Sequence, residues 1–139
     1  MYLLDTNVLS ELRKVRKGQC DPAVLAWSQA VSPSDLFVSV ITIFELEVGI
    51  LLLERRDPVQ AARMRLWMAD QILPAFEDRV LNVELSTALI CASLHVPDKR
   101  PERDGFIAAT ALQYDFFMVT RNTRDFEGTG VRLLNPWEA

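Results

Sequence analysis

The chain has 139 residues, half of them hydrophobic, and a formal net charge of −4. This length and apolar content predict one folded domain over residues 1–139 and exclude a disordered chain. The acidic balance excludes a protein that grips a phosphate backbone by net charge alone, so work on nucleic acid would need local basic rims or a bound cation.

Tyr2, Leu3 and Leu4 make a short apolar run, long enough for a buried strand. Asp5 ends it, Thr6 and Asn7 are able to cap a helix, and Val8, Leu9 and Leu12 are spaced for a helix face. A basic run, Arg13, Lys14, Arg16 and Lys17, closes that helix, with Gly18 as the stop. Asp21-Pro22 opens a second helix, with Val24, Trp27 and Val31 on its apolar side. Residues 36–40 read as a second buried strand. The helix after it opens at 42–45 and is apolar nearly all round. Such a helix is buried in the domain or covered by another chain. Asp57-Pro58 caps the next helix, which carries Ala61, Met64, Met68 and Ile72 and is expected to stop at Pro74. Residues 79–83 are a weaker strand. Residues 84–94 are a helix expected to face inward with Leu85, Ala88, Leu89 and Ala92. A charged loop, 97–101, leads to a helix at 102–114, a strand at 116–119, a short turn at 122–126 and a last strand at 131–134. Strands alternate with helices, so the predicted fold class is α/β, a central parallel sheet covered by helices on both faces.

Cys20 and Cys91 lie far apart, with no CxxC, zinc spacing or disulfide framework. They read as reduced, buried thiols of a cytoplasmic protein. No basic leader precedes the first apolar run, so no signal peptide is expected. The longest apolar stretch, 44–53, is broken by Glu45 and Glu47 and is too short to span a bilayer.

Four acids are candidates for chemistry. Asp5 stands where a buried strand hands over to a helix, the edge at which parallel sheets bind ligands, although an Asp there is also an ordinary cap. Glu45 shares a helix face with Val48, Gly49 and Leu52, yet Thr42 to Glu45 also reads as a capping box. Asp104 extends the stripe of Ile107, Ala108 and Ala111 at its N-terminal end. Asn122 and Asp125 come after the strand at 116–119, at the same rim as Asp5. Carboxylates brought together repel unless they take up protons or a cation. Oxygen ligands without Cys or His select Mg2+ or Mn2+ over zinc. Such an ion activates water and stabilises charge on a phosphate. Lys99, Arg100, Arg103, Arg121 and Arg124 flank the expected rim and suit flanking phosphates. The single histidine, His95, excludes a two-histidine acid–base pair and argues against a Ser-His-Asp triad.

The segments LLDTNVLSEL, TxxE after a strand, DGFIAATAL and VTRNTRDF, in this order, resemble the PIN-domain family, and within it the VapC-type toxins of bacterial toxin–antitoxin pairs. The ending LLNPWEA resembles the FitB subgroup. The resemblance runs over essentially the whole chain. It implies a three-layer α/β/α sandwich and a Mg2+- or Mn2+-dependent ribonuclease. It also implies a homodimer, inhibited by a small antitoxin through which promoter DNA is bound. By position Asp5, Glu45 and Asp104 match the family's main acids, with Asp5 and Asp104 its usual metal contacts, and Thr120 matches a residue lining the same pocket. The fourth position falls on Asn122 or Asp125. Two other readings stay open. One is a protein-binding subunit of a DNA-bound complex with weak or no nuclease activity, for which Trp27, Trp67, Met64 and Met68 would suit a partner groove. The other is an aspartyl-phosphate phosphatase, in which Asn7 would replace the expected second Asp.

Overall fold

The computed structural model describes residues 1–139. Strands β1 (Tyr2–Leu4), β2 (Leu36–Ser39), β3 (Val80–Leu81), β4 (Phe117–Val119) and β5 (Leu133–Leu134) form one sheet in the order β3-β2-β1-β4-β5. Every pairing is parallel, with Leu3 opposite Phe37 and Met118 and Leu4 opposite Val119. The helices are α1 (Thr6–Leu12), α2 (Pro22–Ala30), α3 (Val40–Glu54), α4 (Pro58–Trp67), α5 (Leu73–Ala75), α6 (Leu85–Leu94) and α7 (Glu102–Tyr114).

Side chains of a strand alternate between the two faces of its sheet, and the core obeys that alternation. Leu4 and Val119 join Val8, Leu9, Val38, Leu46 and Ile50 on one face. Leu3 and Met118 join Ile107, Ala108, Ala111 and Phe126 on the other. Both faces are therefore dry, and the expected α/β/α layering is present. Each fully buried Leu or Ile contributes roughly 1.5–3 kcal/mol, so the short strands are held by packing more than by their own ladders.

Several local expectations are corrected. Ser39 caps α3, its Oγ accepting from the Ile41 N–H at 3.0 Å. The helix therefore starts at Val40, Thr42 is fully buried inside it, and no Thr42–Glu45 capping box forms. Pro74 does not stop the helical path. A wider π turn over Met68–Ile72 comes between α4 and α5, just before the proline that has no N–H to give the ladder. The basic run 13–17 is a 3-10 turn, closed by Gly18 at φ 66°.

The largest correction concerns α6. Leu85, Ala88, Leu89 and Ala92 face outward, while Thr87 and Cys91 face in. The helix is apolar on two sides, so periodicity alone does not choose between them. Thr87 decides: its hydroxyl accepts from the Glu84 N–H and donates to Gln113 of α7. Burying that side satisfies polar groups that would otherwise be stranded. Trp27, Trp67 and Met68 are core residues and offer no partner groove. Cys91 is buried as expected, whereas Cys20 is only partly so. No helix is long and apolar enough to cross a membrane.

Candidate active site

The sheet order reverses direction between β1 and β4, because the chain builds outward first through β2 and β3 and then through β4 and β5. Ligand crevices of parallel sheets open at the carboxyl ends of strands at such a switch point. Asp5 lies there, its backbone N–H extending the ladder to the Val119 carbonyl at 2.9 Å. Its Oδ1 accepts from the Thr6 N–H at 2.8 Å, so Asp5 is indeed the cap of α1. Its Oδ2 is engaged in something a cap does not need. The fully buried Thr120, just past β4, donates its hydroxyl to Oδ2 at 2.8 Å. Thr120 Oγ1 in turn accepts from the Asn122 N–H at 3.1 Å and from Asn7 Nδ2 at 3.3 Å. Asn7 Oδ1 accepts from the Arg121 N–H at 3.3 Å. The ends of β1 and β4 are thus tied through the polar groups of Asp5, Asn7 and Thr120.

Asp5, Glu45 and Asp104 line one open cavity of about 430 Å3, with Thr6, Asn7, Asn122 and Trp137 among the other residues of its wall. Glu45 arrives from α3 and accepts from the Thr6 hydroxyl at 2.8 Å. Asp104 arrives from the first turn of α7. Asp125 does not line this cavity. It is exposed on the 3-10 turn Thr123–Phe126 and borders a neighbouring depression with Arg121, Asn122 and Arg124. Asn122 borders both, and its side chain makes no capping bond to that turn. Lys99, Arg100 and Arg103 line a further depression, which shares Glu45 and Asp104 with the main cavity. His95 is elsewhere, its Nδ1 bonded to the Cys91 carbonyl at 2.9 Å.

The electrostatics mark the acids as a set. Burial raises the Asp5 carboxyl above its usual range, against the hydrogen bonds from Thr120 and Thr6, and the charge of Asp125 adds to the rise. Burial also raises Glu45, with Thr6 opposing, Asp5 adding to the rise and Arg103 opposing it. Asp104 is pushed up to about 6, first by burial and then by the charges of Asp5, Asp125 and Glu45. Asp5, Glu45 and Asp104 have no Lys or Arg ion-pair partner, whereas a fourth acid of the cavity wall, Glu11, is paired with Lys14 at 3.1 Å. No three Asp, Glu, His or Cys side chains close into a complete metal cage. Mg2+ does not require one, since it binds through one or two carboxylates and keeps several waters. Asp5 and Asp104, hard oxygen donors around an open cavity, fit such an ion.

The sequence profile of the PIN domain matches residues 2–131. The chain belongs to the PIN-domain family. This PIN domain is 38% identical to the protein named VapC ribonuclease Y4jK of Sinorhizobium fredii, over 99% of each chain. It is 35% identical to the protein named Toxin FitB of Neisseria gonorrhoeae, again over 99% of each. Its fold matches the structure of FitAB bound to an IR36 DNA fragment with a TM-score of 0.86, at 33% identity, covering 99% of this chain and 96% of that one. The phosphatase reading is set aside with this assignment. The sequence pattern reads Thr6 and Asn7 as caps, with Asn7 otherwise only standing in for a phosphatase acid, and assigns Trp137 no place in the site. All three line the cavity of this PIN domain. The only sign of Thr6 and Asn7 in the sequence is their place directly after Asp5.

Proposed function

We propose that this PIN domain is a Mg2+- or Mn2+-dependent ribonuclease that hydrolyses RNA phosphodiester bonds, and that it is the toxin of a type II toxin–antitoxin pair. One observation carries the reading. Three carboxylates raised by burial and mutual charge share a cavity at the sheet's switch point, with no protein cation paired to them. A divalent ion relieves that repulsion. When bound, it supplies charge stabilisation at the phosphate and an acidified water. Asp5 and Asp104 are assigned to hold it. Glu45, oriented by Thr6, faces the same space and is assigned to take the proton of the attacking water. Thr120 fixes the rotamer of Asp5, and Asn122 completes the wall at the fourth position, with Asp125 acting on the acids through its charge alone. The flanking arginines and Lys99 are assigned to neighbouring phosphates, which reconciles an acidic chain with an anionic substrate.

The names of the relatives, a ribonuclease and a toxin, support the same activity. The DNA-bound FitAB complex supports a partner of the antitoxin kind that brings promoter DNA to the assembly. The exposed Leu51, Leu52, Val59 and Leu66 of α3 and α4 give a homodimer or that partner an apolar surface. A cytoplasmic location goes with this reading, because RNA and promoter DNA are its proposed ligands. The test is cleavage of total RNA by purified, partner-free protein with Mg2+ or Mn2+ and with EDTA, beside Asp5→Asn and Asp104→Asn. Cleavage only with metal and only by the wild type is expected. A partner-free protein that is inert with either metal would leave the DNA-bound subunit without nuclease activity as the better reading.

A further inference from the structure

Trp137 is the only hydrophobic residue lining the acidic cavity. It is held rigidly. Its backbone N–H donates to Asn135 Oδ1 at 3.0 Å, the Glu138 N–H closes the turn onto the Asn135 carbonyl at 3.1 Å, and the ring packs against the core cluster under α1 and α3. The turn is anchored in turn to the sheet, since Thr120 donates its N–H to the Leu134 carbonyl at 3.0 Å. The Arg121 guanidinium lies over the indole, 5.1 Å from the ring centroid. Arg121 is exposed, lines the same cavity and also borders the depression with Arg124. An Arg–Trp cation–π pair therefore stands beside the acids, in a wall that is otherwise polar. The indole packs on the core and also gives this polar wall its one apolar surface. Unpaired bases are bound by stacking on aromatic rings and on guanidinium planes.

We propose that the Arg121–Trp137 pair is a stacking platform for an unpaired nucleobase next to the phosphate at the metal site assigned to Asp5 and Asp104. The inference rests on the ribonuclease reading and adds to it where the substrate's base sits. Lys99, Arg100 and Arg103 line a depression that shares Glu45 and Asp104 with the cavity, and there the Arg103 guanidinium lies 4.8 Å from the ring centroid of the exposed Phe44; that ring is not among the residues lining either hollow.

The test uses two probes on the full chain at low salt, with Ca2+ as the divalent ion so that the acids are neutralised: a single-stranded twelve-residue oligoadenylate and an abasic ribose-phosphate chain of the same length. Trp137→Ala is expected to weaken oligoadenylate binding about 5- to 150-fold, equivalent to 1–3 kcal/mol for one stacked base, and to leave the abasic chain within about twofold. Trp137→Phe is expected to restore most of the loss. Arg121→Lys keeps the charge and removes the plane, so it should weaken the oligoadenylate and spare the abasic chain. It also guards against Trp137→Ala failing to fold. Equal losses on both probes, or none on either, would overturn the platform while leaving a phosphate groove intact. Failure of the wild type to bind either probe would overturn the ribonuclease reading and the platform with it.

Discussion

Replacing Asp104 by Asn should make the metal-free protein more stable at neutral pH. The Asp104 carboxyl titrates near 6 instead of 3.8, so it resists ionisation in the folded state. Between those values the folded chain binds more protons at Asp104 than the unfolded chain does, and stability falls as pH rises through that window. At 1.36 kcal/mol per pH unit, full burial would make the ionised acid cost about 3 kcal/mol. Asp104 is only half-buried, and solvent screening reduces the figure to about 1 kcal/mol. Asp104→Asn should therefore raise the melting temperature at pH 7.5 by about 3–4 °C, measured in EDTA by calorimetry. The gain should shrink as pH falls below 6 and vanish below 3.8, where the wild-type acid is neutral in both states. Excess Mg2+ should reverse the order, since occupancy at 100 times the dissociation constant adds about 2.7 kcal/mol to the wild type and much less to the variant. A destabilised Asp104→Asn at pH 7.5, or a gain that does not depend on pH, would refute the idea that charge crowding sets this site.

Glu45→Gln should lower RNA cleavage about 100-fold or more while moving the melting temperature little, because Gln still accepts from the Thr6 hydroxyl. Normal cleavage by this variant would remove Glu45 from the chemistry. Cleavage products should carry 5′-phosphate and 3′-hydroxyl ends, and His95→Gln should cleave normally, since the ring is bonded to the Cys91 carbonyl outside the cavity. Cyclic phosphate ends detected by mass spectrometry would contradict water as the nucleophile. On α6, Leu89→Ser should change unfolding free energy by no more than about 0.5 kcal/mol, since Leu89 is exposed. Thr87→Val should cost about 1–3 kcal/mol in the same urea titration, because it strands the Glu84 N–H and the Gln113 side chain.

Much of the architecture is local information. Apolar runs such as Tyr2-Leu3-Leu4 and Phe117-Met118-Val119 are buried on both sides of the sheet and read as strands without knowledge of their partners. Caps at Asp21 and Asp57 fix helix starts through bonds to residues two or three positions on. Because parallel strands share one carboxyl edge, Asp5 after β1 and Glu45 after β2 were expected at one rim. Asp104, in contrast, reaches it only because α6 and α7 pair as an antiparallel hairpin, and Asp125, expected by the same rule, stays outside the cavity. Only the tertiary structure decided the rest. Thr6 meets Glu45 across 39 positions and Thr120 meets Asp5 across 115, and no local pattern encodes which hydroxyl finds which carboxylate. Asp125 and Asn122 are three residues apart, yet the 3-10 turn exposes one to the neighbouring depression and leaves the other on the cavity wall. Helix α6 offers two apolar sides, and the choice between them came from Gln113, a polar partner on another helix. Periodicity reports which residues share a face of a helix, while the hydrogen bonds available on its neighbour determine which face is buried.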